Sequence, residues 1–244
     1  MWQALRTELA PQGFELVTVG LDVLGAAGCR EFIEAAKPDH PSLIDEHHAM
    51  ANLFGVINIP SSIWIDENGM IVRPAEAAPA PPSDQPGFQP PTGELPQRLL
   101  EMGAEAMKMR ASPAEYHAAL KDWVAKGADS AFAHTPDEVI ARSRPRTADT
   151  ALGHAHFELA TELEKQGDHD AAITHFKEAH RLVPDSWTFR RQAWSLEPGT
   201  AAGPMARYWQ GPSDDNPDAW PYEGDWLSDV REIGAENYTD PWKP

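Results

Sequence analysis

The stretch Gly55-Val56-Ile57-Asn58-Ile59-Pro60-Ser61-Ser62-Ile63-Trp64-Ile65-Asp66-Glu67-Asn68-Gly69-Met70-Ile71-Val72 reads as loop, strand, turn and strand. From Ser61 to Asp66, Ile63 and Ile65 alternate with Ser62, Trp64 and Asp66, the period-two pattern of a strand. Glu67-Asn68-Gly69 supplies a turn with glycine where positive φ is needed, and Met70 to Val72 resumes an apolar run. The segment is therefore a β-hairpin. Pro60 carries no N–H for a ladder and must open the first strand, where a trans peptide bond is the ordinary expectation.

Upstream of the hairpin, Trp2, Leu5 and Leu9 fall on one helical face, and Pro11-Gln12-Gly13 ends that helix. Phe14 to Leu21 is apolar enough for a strand buried on both faces. Cys29 to Ala36 reads as a short helix and Pro41 to Asp45 as an extended stretch. Asp45 is placed to cap a further helix that stops at Gly55. The expected order is α-β-α-(β)-α-β-β.

Gly55-Val56-x-x-Ile59-Pro60, a strand, Asp66-Glu67-Asn68-Gly69 and a second strand resemble the second half of a thioredoxin-like fold, in particular the TlpA/ResA-like redoxins. The resemblance covers about the first third of the chain. It implies that Pro60 is cis, that it faces a redox-active cysteine pair, and that Ile59 and Pro60 bind the substrate backbone. The family's first strand and Trp-x-x-Cys-x-x-Cys turn have no counterpart after Met1. Three explanations stand: a start upstream of Met1 that carries cysteine or selenocysteine, a segment contributed by another chain, or a degenerate, non-catalytic domain.

The single cysteine, Cys29, excludes an internal disulfide, a Cys-x-x-Cys pair and a multi-cysteine zinc cage within one chain. At the start of a helix its thiol could be activated by the helix dipole; a lone cysteine beside apolar residues is more often a small buried filler. It is the weak catalytic candidate. His47 and His48, beside Asp45 and Glu46, diverge as neighbours on a helix do. His154, His156, His169, His175 and His180 can meet only through tertiary contact, so no metal site is assigned. No cofactor motif is present.

After the hairpin, prolines crowd residues 77–95, an extended linker. Helical patterns follow over 96–198: Leu95 to Met109, a helix opened by the capping box Ser112-Pro113-Ala114-Glu115, and one opened by Thr135-Pro136-Asp137-Glu138. Within 153–186, Leu159, Ala160, Leu163, Gly167, Ala172, Phe176, Ala179 and Pro184 fall on the positions of one tetratricopeptide unit, which this stretch resembles. One unit cannot bury its own apolar faces, so neighbouring helices must cover it. Residues 199–244 form an acidic tail rich in Trp and Pro, read either as aromatic anchors on the helical domain or as a partner-binding arm.

The expected fold class is thus an incomplete α/β thioredoxin-like domain over 1–76 followed by an all-α, tetratricopeptide-like domain. A formal charge of −18 across 244 residues argues against a nucleic-acid partner. There is no membrane-length apolar run and no signal-peptide pattern after Met1, which makes the cytoplasm the expected compartment. Two functions follow. One is a thiol–disulfide or peroxide-reducing oxidoreductase, acting on a thiol or disulfide protein substrate or redox partner, whose catalytic cysteine or selenocysteine lies upstream. The alternative is a non-catalytic module whose repeat and tail bind a protein partner.

Overall fold

A computed structural model describes residues 2–79, 95–109, 112–197, 209–239 and 242. The expected linker falls almost entirely outside these residues, as does the tail from 199 to 208. The chain divides into two compact units that are not contiguous in sequence: residues 1–87, 111–145 and 241–244 make unit 1, and residues 88–110 and 146–240 make unit 2.

Unit 1 holds α1 (Trp2–Leu9), β1 (Thr18–Gly20), α2 (Ala26–Ala36), β2 (Ser42–Ile44), α3 (Ala49–Phe54), β3 (Ser61–Ile65) and β4 (Ile71–Ala77). This is the order expected from the sequence. α5 (Pro113–Lys126) and α6 (Pro136–Arg142) also belong to it. The strands are paired as two separate two-stranded sheets: β1 with β2 in parallel, Val19 opposite Leu43, and β3 with β4 antiparallel, Ser61 opposite Ala77 and Trp64 opposite Arg73.

That arrangement overturns the expected fold class. The described residues are 56% helix and 9% strand, so the chain is an α-rich mixed fold and not a thioredoxin-like domain followed by an all-α one. The physical reason lies in the ladders. Two strands of three residues each offer too few backbone partners to extend a sheet, and no strand joins β1 to β3 among the described residues.

The hairpin instead packs through its Trp64 face. Trp64 is 3% exposed while Ile65 is 45% exposed, so the face carrying Ser62 and Trp64 turns inward and that of Ile65 turns out. Tyr116 on α5 accounts for this choice: its hydroxyl accepts from Trp64 Nε1 at 2.9 Å and bonds the Ser62 hydroxyl at 2.6 Å. Leu5 and Leu9 of α1, Ala119 and Leu120 of α5, and Trp242 complete this core. Within it lies a charge. Arg73 is 0% exposed, its guanidinium 5.3 Å from the Trp64 ring and 5.4 Å from the Trp242 ring. It donates to Glu76 at 2.6 and 3.0 Å and to the Phe132 carbonyl at 3.0 Å.

Local signals explain several element ends. Asp45 accepts from the backbone N–H groups of Ala49 and Ala51 at 2.8 and 3.0 Å, capping α3 from three residues before its N-cap, His48. Asp66 closes the hairpin turn by accepting from Asn68 and Met70, with Gly69 at φ 80°. Thr135-Pro136-Asp137-Glu138 opens α6 as expected, and Thr135 and Glu138 form a capping box there. The one expected at Ser112 is absent: the Ser112 side chain makes no capping hydrogen bond to the first turn of α5.

Unit 2 is built on the antiparallel hairpin of α7 (Ala148–Lys165) and α8 (His169–Leu182), with α9 (Trp187–Leu196) against α8. Thr147, Asp168 and Ser186 cap the three helices, and Gly167, at φ 82°, allows the turn between the first two. Ala160, Ala172 and Ala179 are all 0% exposed, and a Cβ on Gly153 would run into Val183. Small residues at these positions let the helices approach closely enough for Phe157 to meet Phe176 edge-on at 5.7 Å and stack on Phe189 at 4.4 Å. α4 (Gln97–Ala106) and α10 (Trp226–Ile233) pair within the same unit, tied by Arg98 to Asp225 at 2.6 Å and by Arg231 to Glu101 and Glu105.

Candidate functional site

The residues singled out from the sequence fall in unit 1. Cys29 is the fourth residue of α2 rather than its first, and it is buried at 8% exposure against Gly20 of β1. Burial, and then the negative charge of Asp22, push its thiol pKa up. A thiol shifted in that direction holds less thiolate at neutral pH than a free cysteine. Ile59 and Pro60 are exposed where the chain enters β3, and their peptide bond is cis. The Ile59 N–H is already engaged, donating to the Asn58 side chain at 2.9 Å, and the Pro60 carbonyl accepts from Ala78 at 3.0 Å. Cys29 thus sits on α2 against β1, whereas the Ile59–Pro60 corner leads into β3 of the other sheet.

Unit 2 contributes a surface the sequence reading did not name. α7 buries Gly153, Phe157, Ala160 and Thr161. On its opposite side Leu152 is 48% and Leu159 45% exposed, with Ala155 also exposed between them. These residues recur at three, four and seven positions and so share one face. Exposed Glu158 and Glu162 border that face on one side and Asp149 lies toward the other, giving an apolar stripe in an acidic frame. Leu159 and Ala160 both fall on tetratricopeptide-like positions, but Leu159 is exposed and Ala160 is buried.

Tertiary contact sorts the five histidines of α7 and α8. His156 and His175 bring their Nδ1 atoms to 2.8 Å of each other. His169 stands between Glu164 at 2.7 Å and Glu197 at 3.4 Å. His154 lies edge-on to Phe189, and His180 lies against Trp194 and Tyr222. Among the described residues no group of three or more His, Cys, Asp and Glu side chains converges on one point, and no helix is long and apolar enough to cross a membrane.

His180 makes the stability of unit 2 sensitive to acid. Burial, reinforced by the neighbouring Arg190 charge and opposed by a bond to the Phe189 backbone, lowers its pKa from 6.5 to about 4. Between those values the unfolded chain holds a proton that the folded chain lacks, so stability is full above about pH 6.5 and declines as the pH falls toward 4. The steepest decline is about 1.4 kcal/mol per pH unit for one such group. We expect the fall in urea midpoint between neutral and mildly acid pH to be smaller in His180→Gln than in the wild type. An equal fall in the two proteins would remove His180 as the cause.

Comparison with protein-family models, curated proteins and solved structures returns no match. The redoxin and tetratricopeptide resemblances therefore rest on the residues that suggested them.

Proposed function

We propose that the protein is a non-catalytic interaction module in which α7 of unit 2 receives a segment of a partner protein. The observation that carries this reading is the exposed stripe of Leu152, Ala155 and Leu159 in its acidic frame, on a helix whose other face is fixed by a packed core. The partner segment fitting such a face is an amphipathic helix with apolar anchors and flanking lysine or arginine. Apolar burial gives it affinity, and charge opposite to that of a −18 chain steers its approach. Helical content compatible with a tetratricopeptide-like unit supports the same reading.

The test uses a fluorescein-labelled helical peptide of leucine and lysine, with binding followed by anisotropy at low and high salt. Leu152→Glu/Leu159→Glu should lower the affinity at least about ten-fold, roughly 1.4 kcal/mol. The melting temperature should stay nearly constant, since exposed substitutions shift stability by about 0.5 kcal/mol or less. Equal affinity for both proteins would overturn the assignment of α7.

Thiol–disulfide exchange is the second reading, favoured by the exposure of Ile59 and Pro60 together at the entry to β3. In this reading the nucleophile is a cysteine or selenocysteine supplied upstream of Met1, because Cys29 is buried. Reduction of insulin by an upstream-extended chain, with none by residues 1–244, would support it. Inactivity of both folded proteins would remove it.

A further inference from the structure

We propose that His156 and His175 are the protein ligands of a site for a first-row transition-metal dication, zinc or copper, bridging α7 and α8. Their Nδ1 atoms are 2.8 Å apart, the ring centroids 5.0 Å apart and the ring planes inclined by 31°. Without metal the contact is an N–H···N hydrogen bond, in which one ring carries its proton on Nδ1 and the other presents a lone pair. When both rings carry the proton on Nε2, both Nδ1 atoms become ligands.

The spacing suits that use. At metal–nitrogen distances of about 2.0–2.1 Å, two imidazoles in a tetrahedral site have nitrogens about 3.3 Å and centroids about 5.2 Å apart. In a tetragonal site with a right-angle bite the values are about 2.9 and about 4.6 Å. The centroid separation of 5.0 Å lies between the two, while the Nδ1 separation of 2.8 Å is shorter than either. To chelate, the half-buried rings must turn about their side-chain bonds so that the two nitrogens separate by a few tenths of an ångström and their lone pairs converge on one point.

The backbone that carries the ligands is already fixed. Each histidine is the sequence neighbour of a core phenylalanine, His156 of Phe157 and His175 of Phe176, and those two phenylalanines are 1% exposed and in edge contact. Ligands mounted on two packed helices keep their separation, which a metal site requires. Glu178, one turn beyond His175, adds negative charge. It pairs with Arg181. With no third metal-type side chain converging among the described residues, water fills the remaining coordination positions. Because the bridge exists only when α7 and α8 are docked, metal stabilises the folded chain.

The experiment titrates the full chain with zinc chloride and, separately, cupric chloride, reading calorimetric stoichiometry, melting temperature and the imidazole NMR signals. We expect one saturable equivalent, a rise in melting temperature, and zinc-induced shifts confined to the signals of His156 and His175. His156→Asn and His175→Asn should each weaken binding at least ten-fold, whereas His47→Ala, altering an exposed histidine of unit 1, should leave it unchanged. The NMR readout uses the wild-type protein and so holds even where a variant folds poorly. Shifts at other histidines, non-saturable binding, or unchanged binding by a folded His156→Asn/His175→Asn protein would each overturn the proposal.

Discussion

Glu76→Ala is expected to destabilise unit 1 by about 3–5 kcal/mol, the loss typical when one member of a buried ion pair is removed. Arg73 has no exposure to water, and its guanidinium is held between the Trp64 and Trp242 rings. Glu76 supplies two of its hydrogen bonds, at 2.6 and 3.0 Å. Without that carboxylate, a charge that cannot lose its proton stays in an aromatic core and loses both hydrogen bonds that Glu76 gave it. Burial, the largest influence on Glu76, raises its own pKa, which Arg73 opposes; the two side chains thus share one desolvated site. Urea denaturation followed by tryptophan fluorescence measures the loss. Arg73→Met/Glu76→Leu should recover much of it, because an apolar pair of similar volume needs no charge compensation. A loss below about 1 kcal/mol in Glu76→Ala would mean that water reaches the guanidinium.

In unit 2 the largest effect is expected from Phe157→Ala, again about 3–5 kcal/mol, from lost transfer energy and the cavity left behind. Phe157 is 1% exposed and holds three helices together through Phe176 on α8 and Phe189 on α9. Neighbouring alanines at 0% exposure cannot expand to fill the space. Leu159→Ala, two residues away on the same helix, should change stability by about 0.5 kcal/mol or less, since Leu159 is 45% exposed. The pair of variants reads out which face of α7 is core. Similar losses at the two positions would show that the stripe assigned to a partner is covered within the protein itself.

The candidate surfaces were only partly legible in the sequence. The sequence puts Cys29 at the start of a helix, whereas α2 begins three residues earlier at Ala26 and the thiol is buried. Ile59 and Pro60 could be placed at a strand entry because proline leaves few alternatives there, but the bond from Ile59 to Asn58 depends on side-chain orientation that spacing does not encode. His156 and His175 lie 19 positions apart and signal nothing until the α7–α8 hairpin closes. The apolar stripe on α7 carried a signal at helical spacing. It was obscured because Leu159 also fits a repeat position normally assigned to packing.

What the sequence by itself determined was local. Periodicity and punctuation placed the hairpin at Asp66–Gly69, the helix opened at Thr135, and the close approach of α7 and α8 through Ala160, Ala172 and Ala179. Each of these depends on residues a turn or a few turns apart, where φ, ψ and side-chain reach fix the outcome. Only the tertiary structure decided that the strands would form two small sheets instead of one, that Trp64 and not Ile65 would face inward, and that Arg73 would be sealed between Trp64 and Trp242. Those outcomes depend on partners contributed by distant segments. A strand's edge, an indole N–H and a buried charge are each satisfied by whichever group packs against them, and Tyr116, Glu76 and Trp242 became those groups only when the chain had folded.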